Sequence, residues 1–144
     1  MAFPSSKSAG KVFYLKEVKV FAEVTNETMD QLILNRHKNT LVFVWAPWCS
    51  NCKAMETYIE IAAVEIGSEN IFRLEADENP GLIKRYNIIG LPALLLFSHG
   101  KLVDRKTGIL NNKRIVWLYK SKERYSKDEA KANELKGFFR WLFW

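Results

Sequence analysis

The spacing of hydrophobic positions changes in a regular way along the first third of the chain. Apolar and polar residues alternate over Val18–Val24, which predicts a half-buried strand. Thr25 and Asn26 supply a helix cap, and the residues after them carry an apolar stripe of one helical face, at Met29, Leu32 and Ile33. The uninterrupted apolar run Leu41–Trp45 has the length of a central strand that is buried on both faces.

Helical and strand patterns continue to alternate in the middle of the chain. A helical stripe follows the apolar run, with its positions at Met55, Ile59, Ala62, Ala63 and Ile66. Gly67 is suited to end this helix. Ile71–Ala76 predicts another strand, and residues 77–81 predict a turn into a short helix that ends at Tyr86.

The pattern then changes to a hairpin. Ala93–Phe97 and Leu102–Thr107 predict strands, and residues 98–101 between them predict a tight turn. Asn111 or Asn112 caps a following helix, whose apolar positions are Ile115, Leu118 and Tyr119. Strands that alternate with helices and end in a hairpin predict an α/β fold, with a central mixed β-sheet flanked by helices on both faces.

An extra amphipathic helix is predicted at the C-terminus, over residues 127–143. Residues 126–129 have the Ser-x-x-Glu pattern of a capping box. Apolar side chains follow at Leu135, Phe138, Phe139, Trp141, Leu142, Phe143 and Trp144. The sequence favours docking of this helix on the domain as extra core. A second interpretation is that the apolar face, with the lysines and the arginine of this helix, contacts a protein partner or an anionic membrane surface. A third is that the helix is the start of a removed anchor.

Composition restricts the class of protein. A chain of 144 residues, 48% of them hydrophobic, is large enough for one domain with its own core. Residues 113–144 contain nine Lys or Arg and four Asp or Glu, so they carry +5 of the net charge of +6. No nucleic-acid-binding motif accompanies these basic residues. We divide the chain into an N-terminal extension (1–17), one domain (18–122) and a C-terminal helical extension (123–144).

The two cysteines carry the candidate chemistry. Cys49 and Cys52 form a CxxC pair at the start of a helical pattern. A helix N-terminus has unpaired N–H groups and a partial positive charge, which favour a thiolate. The thiolate is the species that attacks a disulfide, and a second thiol one turn away can release the product. The pair therefore predicts two-electron thiol–disulfide exchange.

Other roles for this pair are weaker. A structural zinc ion needs four N or S ligands, and only His37 and His99 remain, both in predicted turns. We interpret these histidines as solvated turn residues and expect no metal site. A further alternative is that the pair is an inert relic of a redox site. The two cysteines do not indicate a disulfide framework, because such a framework needs several dispersed pairs.

No secretory signal or membrane span is predicted. The first ten residues are linker-like and lack the apolar core of a signal peptide. No segment approaches the roughly 18 apolar residues that a span requires. We therefore expect the cytoplasm, where such a pair rests in its reduced form.

Several motifs resemble the thioredoxin family over about residues 18–122. In order, they are Trp-Ala-x-Trp-Cys-x-x-Cys-Lys at 45–53, Asp-x-Asn-Pro at 77–80, Tyr-x-Ile-x-Gly-Leu-Pro-x-Leu-Leu-Leu-Phe at 86–97, then Gly100 and Gly108. The resemblance implies a thioredoxin fold in which Cys49 is the nucleophile and Cys52 resolves the intermediate. It also implies that Pro92 is a cis-proline beside the cysteines.

The resemblance further implies a substrate-docking surface and an activity. The matching residues are Trp48, Gly90, Leu91, Pro92 and Gly108, with the backbone at Leu91 open to pair with a substrate peptide. The implied function is that of a thiol–disulfide oxidoreductase that reduces protein disulfides. It would hold no cofactor and would take electrons from an external donor such as a thioredoxin reductase-type enzyme. The alternatives are a dedicated oxidase, isomerase or thiol-delivery protein for one client, and a non-catalytic adaptor that uses the aromatic C-terminal helix.

The sequence departs from the family at a proton-handling position. Family reductases have a buried Asp six residues before the first cysteine, thought to relay protons to the resolving thiol, and this position is Phe43 here. The proton of Cys52 must then leave through water or a carboxylate such as Glu56 or Glu75. The basic partner of the family's Asp corresponds to Arg73, which we expect to face solvent.

Two more departures lie in and after the CxxC motif. Ser50 and Asn51 replace Gly-Pro, which frees an N–H and adds side-chain donors near sulfur. Both changes favour the thiolate and raise the reduction potential, to between about −270 and −180 mV. Thr57 replaces a proline that kinks the family's active-site helix, so we expect a straighter helix.

Overall fold

A computed structural model describes residues 21–135, which contain a five-stranded sheet. Its strands are β1 (Ala22–Glu23), β2 (Thr40–Trp45), β3 (Ile71–Glu75), β4 (Ala93–Ser98) and β5 (Lys101–Thr107). Their order across the sheet is β1-β3-β2-β4-β5. The strand β3 is parallel to β1 and β2, and β4 is antiparallel to β2 and β5. The predicted mixed sheet is confirmed.

Helical segments connect and follow these strands. They are α1 (Asp30–Leu34, a π-helical segment), α2 (Ser50–Ile66), α3 (Pro80–Arg85), α4 (Asn112–Ser121) and α5 (Lys127–Ala132), with a single 3₁₀ turn at Ser68–Asn70. The 17 residues of α2 are helical without interruption through Thr57. Among residues 21–135, no helix has the length and apolar character needed to cross a membrane.

The central strand separates two hydrophobic cores. Leu41 and Phe43 pack on one face of the sheet with the apolar side chains of α2 and α4. Val42 and Val44 pack on the other face with those of α1 and α3. All four side chains are at most 1% exposed. The prediction that this strand is buried on both faces is confirmed.

The hairpin between β4 and β5 depends on a glycine. His99 and Gly100 form the turn with φ of +50° and +78°. A Cβ added to Gly100 would overlap the carbonyl oxygen of Leu34. The segment that ends α1 therefore packs directly on the hairpin turn, where only glycine fits.

The first predicted strand differs from the expectation. Val18 and Val20 lie outside the described residues, and β1 has only two residues. The alternation placed Ala22 on the buried face, but it is exposed, whereas Phe21 and Val24 are buried on opposite faces of the sheet. The prediction was wrong at Ala22 because β1 is an edge strand that pairs with β3 alone.

The expected helix over 127–143 is wrong in its length. The capping box at Ser126 is present, but α5 ends at Ala132. The Asn133 side-chain amide donates to the carbonyl of Glu129 at 2.8 Å, and the Leu135 N–H donates to the carbonyl of Leu102 on β5 at 2.7 Å. Pairing with this edge strand turns the chain away from the helical path. The aromatic residues from Phe138 onwards lie outside the described residues.

Candidate active site

The cysteines lie where β2 leads into α2. Cys49 has an extended backbone and is the N-cap of α2, so its side chain is placed over the first helical turn. It forms a disulfide with Cys52, with the two Cα atoms 5.2 Å apart. The backbone N–H of Cys52 donates to Cys49 Sγ at 3.2 Å. Both residues are buried, at 6% and 3% exposure.

The position at the helix N-terminus determines the electrostatics of the pair. An N-cap side chain accepts hydrogen bonds from the first-turn amides, and the helix end carries a partial positive charge. The first turn of α2 contains no acidic residue. Once the disulfide is reduced, these features favour the thiolate form of Cys49 over the thiol.

Ser50 and Asn51 occupy the first turn with exposed side chains. The hydrogen bond to Cys49 Sγ comes from the Cys52 backbone and not from either of these side chains.

Trp48 is held beside the cysteines by a carboxylate that the sequence analysis assigned to a turn. The indole N–H of Trp48 donates to Asp77 Oδ2 at 2.9 Å, and the ring remains 69% exposed. The signal for this contact was available. Asp77 follows β3 and Trp48 follows β2, and neighbouring parallel strands end at the same edge of a sheet.

The other predicted surface residues surround the start of β4. The Leu91–Pro92 peptide bond is cis, as predicted. The N–H of Gly108 donates to the carbonyl of Pro92 at 2.8 Å, which joins two of the predicted residues. Gly90 lies against Thr107, whose Cγ2 would be 3.1 Å from an added Cβ. Leu91 is half-buried and packs against both cores.

Two exposed isoleucines extend this surface and were not predicted. Ile89 is 82% exposed and Ile109 is 45% exposed, next to Gly90 and Gly108 respectively. Their sequence signal was an apolar side chain directly adjacent to each glycine of the motif. Like the Trp48 ring, they are exposed apolar side chains next to or within the set of predicted surface residues.

The prediction that Arg73 faces solvent is wrong. Its guanidinium forms ion pairs with Glu56 (3.0 Å) and Glu23 (3.3 Å). It also lies 4.3 Å from the ring centroid of Trp45. Only 17% of the Arg73 side chain is exposed. These contacts come from α2, β1 and β2, and none of them is local in sequence.

Burial raises the pKa values of two carboxyl groups near Arg73. Burial raises the pKa of Glu23 above its ordinary value, although the charge of Arg73 opposes this shift. The pKa of Glu75 is also raised, first by partial removal from water and then by repulsion from Glu78 and Asp77.

The histidines have different surroundings. His37 is exposed, as predicted. His99 is half-buried, and its Nε2–H donates to the carbonyl of Tyr125 at 2.8 Å, so the expectation that it is solvated is wrong. The hydrogen bond attaches the connection between α4 and α5 to the hairpin turn. Within residues 21–135, no group of three or more His, Cys, Asp or Glu side chains is placed to hold a metal ion.

One sequence model and several known proteins are similar to this chain. A sequence model described as thioredoxin matches residues 20–121. The chain is 39% identical to the thioredoxin of Buchnera aphidicola subsp. Baizongia pistaciae over 90 residues, which are 62% of this chain and 83% of that protein. It is 35% identical to thioredoxin 1 of a Nostoc species over 60% of this chain and 82% of that protein. It is 30% identical to the thioredoxin of Rickettsia bellii over 67% of this chain and 94% of that protein.

Proposed function

Because this chain belongs to the thioredoxin family, we propose that its Cys49–Cys52 pair works chiefly in the reducing direction, on disulfides of other proteins. The chain is a thiol–disulfide oxidoreductase of the CxxC type. The observation that carries the proposal is the position of Cys49 as the N-cap of α2, with the Cys52 N–H directed at its sulfur. This arrangement favours a reactive thiolate at Cys49.

The reaction is a two-step exchange. The Cys49 thiolate attacks one sulfur of the substrate disulfide, which forms a mixed disulfide and releases the first substrate thiolate. The Cys52 thiolate then attacks Cys49 Sγ, which forms the Cys49–Cys52 disulfide and releases the second. Two electrons pass to the substrate, and its two thiolates each take up a proton. An external dithiol donor, of the thioredoxin reductase type, returns the pair to its reduced form.

We assign substrate docking to the surface around the start of β4. Trp48, Gly90, Leu91, Pro92 and Gly108 form this docking surface in the proposal. An extended peptide would pair with the backbone at Leu91, since strand addition provides affinity without requiring one side-chain sequence. The exposure of the Trp48 ring and the apolar side chains beside the glycines support this assignment.

Ser50 and Asn51 are proposed to tune the reduction potential. Their exposed, polar dipeptide leaves the first-turn N–H groups of α2 available to the Cys49 thiolate. We therefore expect a potential between about −270 and −180 mV, measured by equilibration with glutathione or dithiothreitol buffers. A potential near −120 mV, which is typical of a strong oxidant, would instead support a dedicated oxidase. A reducing role further leads us to propose the cytoplasm as the compartment.

The experiment that tests the function is substrate trapping. Cys52→Ser retains the attacking thiolate but removes the resolving thiol, so substrates should remain on Cys49 as mixed disulfides. These should be released by dithiothreitol and identified by mass spectrometry, and wild-type protein should reduce insulin disulfides. Cys49→Ser is the matched control and should trap nothing. The proposal fails if Cys52→Ser captures no more protein than this control although Cys49 is freely alkylated.

A further inference from the structure

Phe43 and Arg73 lie directly opposite each other on β2 and β3. Phe43 is 1% exposed and belongs to the core that also contains Cys49 and Cys52. Position 43 therefore provides no proton-accepting group for Cys52. Arg73 and the carboxylates paired with it supply polar groups on this side of the sheet.

These polar groups share one face of the sheet. Side chains alternate along a strand, and Phe72 and Leu74 belong to the core on the opposite face. Arg73 and Glu75 therefore point toward the face covered by α2. Glu23 pairs with Arg73 in the register between β1 and β3. Glu56 meets Arg73 from α2 above.

Glu56 is the carboxylate of this group that shares a helix with the cysteines. It lies four residues after Cys52 on α2, and residues at this spacing are neighbours on one helical face. Its side chain is 31% exposed, so water can reach the Glu56 carboxylate. Arg73 holds the carboxylate at 3.0 Å and fixes its position over the sheet.

We propose that Glu56, positioned by Arg73, accepts the proton of the Cys52 thiol during resolution of the mixed disulfide. This inference rests on the proposed dithiol exchange. The proton passes from Cys52 to the Glu56 carboxylate, directly or through one water. The Cys52 thiolate attacks Cys49 Sγ, the Cys49–Cys52 bond forms, and the substrate thiolate leaves. The substrate thiolate then takes up a proton, and Glu56 returns to its ionised form.

Two other carboxylates near Arg73 lie on strands and not on the helix that carries the cysteines. Glu23 is on the edge strand β1, separated from β2 by β3. Glu75 pairs with Trp45 at the end of β3. Outside this group, Glu60 lies one turn beyond Glu56 on α2 and is therefore further along the helix from the cysteines. Glu23 and Glu56 share Arg73 as their cation, and the ion pair holds the Glu56 carboxylate in place.

The test measures the reaction of each thiol separately, by stopped-flow absorbance. Reduced protein reacts with 5,5′-dithiobis(2-nitrobenzoate), and Cys49 releases a first aromatic thiolate, which is yellow. Attack by Cys52 on the mixed disulfide releases a second. Glu56→Gln should slow the second phase about 10- to 100-fold at pH 7. This loss is at the lower end of the usual effect of general-base catalysis or below it, because water can accept the proton when Glu56 is missing. The first phase should keep its rate.

The pH profile separates proton transfer from a structural role. As pH rises, the thiolate fraction of Cys52 and the hydroxide concentration both increase, so the resolving step depends less on a protein base. The loss in Glu56→Gln should therefore shrink steadily between pH 6 and pH 9.5. Arg73→Met should slow the second phase in the same direction, and Arg73→Lys should recover part of the loss. Glu65→Gln is the matched control, because Glu65 forms a comparable ion pair with Lys120 (2.7 Å) at the far end of α2. It should leave both phases unchanged.

Two outcomes would overturn the proposal. One is a second phase in Glu56→Gln that equals wild type at every pH. The other is a loss that is the same at pH 6 and pH 9.5, which would indicate misplaced cysteines instead of a missing proton acceptor. Either result leaves the dithiol function standing, because that function is tested by trapping on Cys49.

Discussion

Replacing Phe43 tests whether this position is part of the core or a remnant of a carboxylate site. The side chain is 1% exposed, and a buried phenylalanine removes about 200 Å² from water. At about 25 cal/mol per Å², this burial contributes about 5 kcal/mol as an upper limit. Measured losses for removing a buried Phe ring are about 3–5 kcal/mol. We therefore expect Phe43→Asn to lower the free energy of unfolding by about 3–5 kcal/mol.

Phe43→Asp changes the side-chain shape as Phe43→Asn does, and it also introduces a carboxyl group that can be charged. The new carboxylate would lie opposite Arg73, but Arg73 is already shared by Glu23 and Glu56. Burial with an incomplete partner raises the pKa of the introduced Asp. A carboxyl group whose folded-state pKa is raised stabilises the protein while it is protonated, and this advantage is lost as pH rises through that pKa. The Asp variant should therefore be less stable than the Asn variant at pH 8, and the difference should shrink at pH 5.

Urea unfolding of the oxidised proteins, followed by far-UV circular dichroism at pH 5 and pH 8, measures both effects. An unchanged m-value is needed for the comparison, because it shows that the same surface is exposed on unfolding. An Asp variant that is as stable as the Asn variant at pH 8, or more stable, would refute the reasoning. That result would mean that Arg73 is available to a carboxylate at position 43.

Three further substitutions concern two glycines with positive φ and the N-cap of α5. Gly108→Ala should cost about 1–2 kcal/mol, because φ is +102° but space is open around the new Cβ. Gly100→Ala should cost about 3 kcal/mol or more in the same urea assay, because its Cβ would also overlap Leu34, and equal losses would contradict this geometry. The Ser126 backbone N–H and, to a smaller extent, its side chain hydrogen-bond Glu129 and lower the pKa of that carboxyl. The cap therefore stabilises α5 above the ordinary carboxyl pKa, and this stabilisation is lost as pH falls through the lowered value. Ser126→Ala removes only the side-chain contribution and keeps the backbone hydrogen bond, so an NMR titration should show the pKa of Glu129 rising part of the way toward that of a free side chain. An unchanged pKa would show that the Ser126 side chain has no influence on this carboxyl.

Local patterns were sufficient for most of the fold. The apolar run of β2, the stripe of α2 and the hairpin at Gly100 each follow from the residues within one element. The CxxC pair also carries its chemistry in local sequence, since a helix N-terminus lies next to it in the chain. Such features depend on interactions between residues a few positions apart, and these are the same in any protein with that pattern.

The surroundings of the site depended on pairing across the sheet. Nothing near Arg73 in the chain indicates that Glu23 and Glu56 would bind it, because both are brought to it by strand register and by the path of α2. The contact between Trp48 and Asp77 arises in the same way, at the shared edge of β2 and β3.

By itself, the sequence determined the mixed sheet, the helix that begins at the cysteines and the thiol chemistry. Only the tertiary structure decided that Arg73 is held between two carboxylates and that His99 is held by Tyr125. It also decided that the chain after α5 turns to pair with β5 at Leu102. The physical reason is that these groups are distant in sequence, so their partners depend on how the whole chain packs.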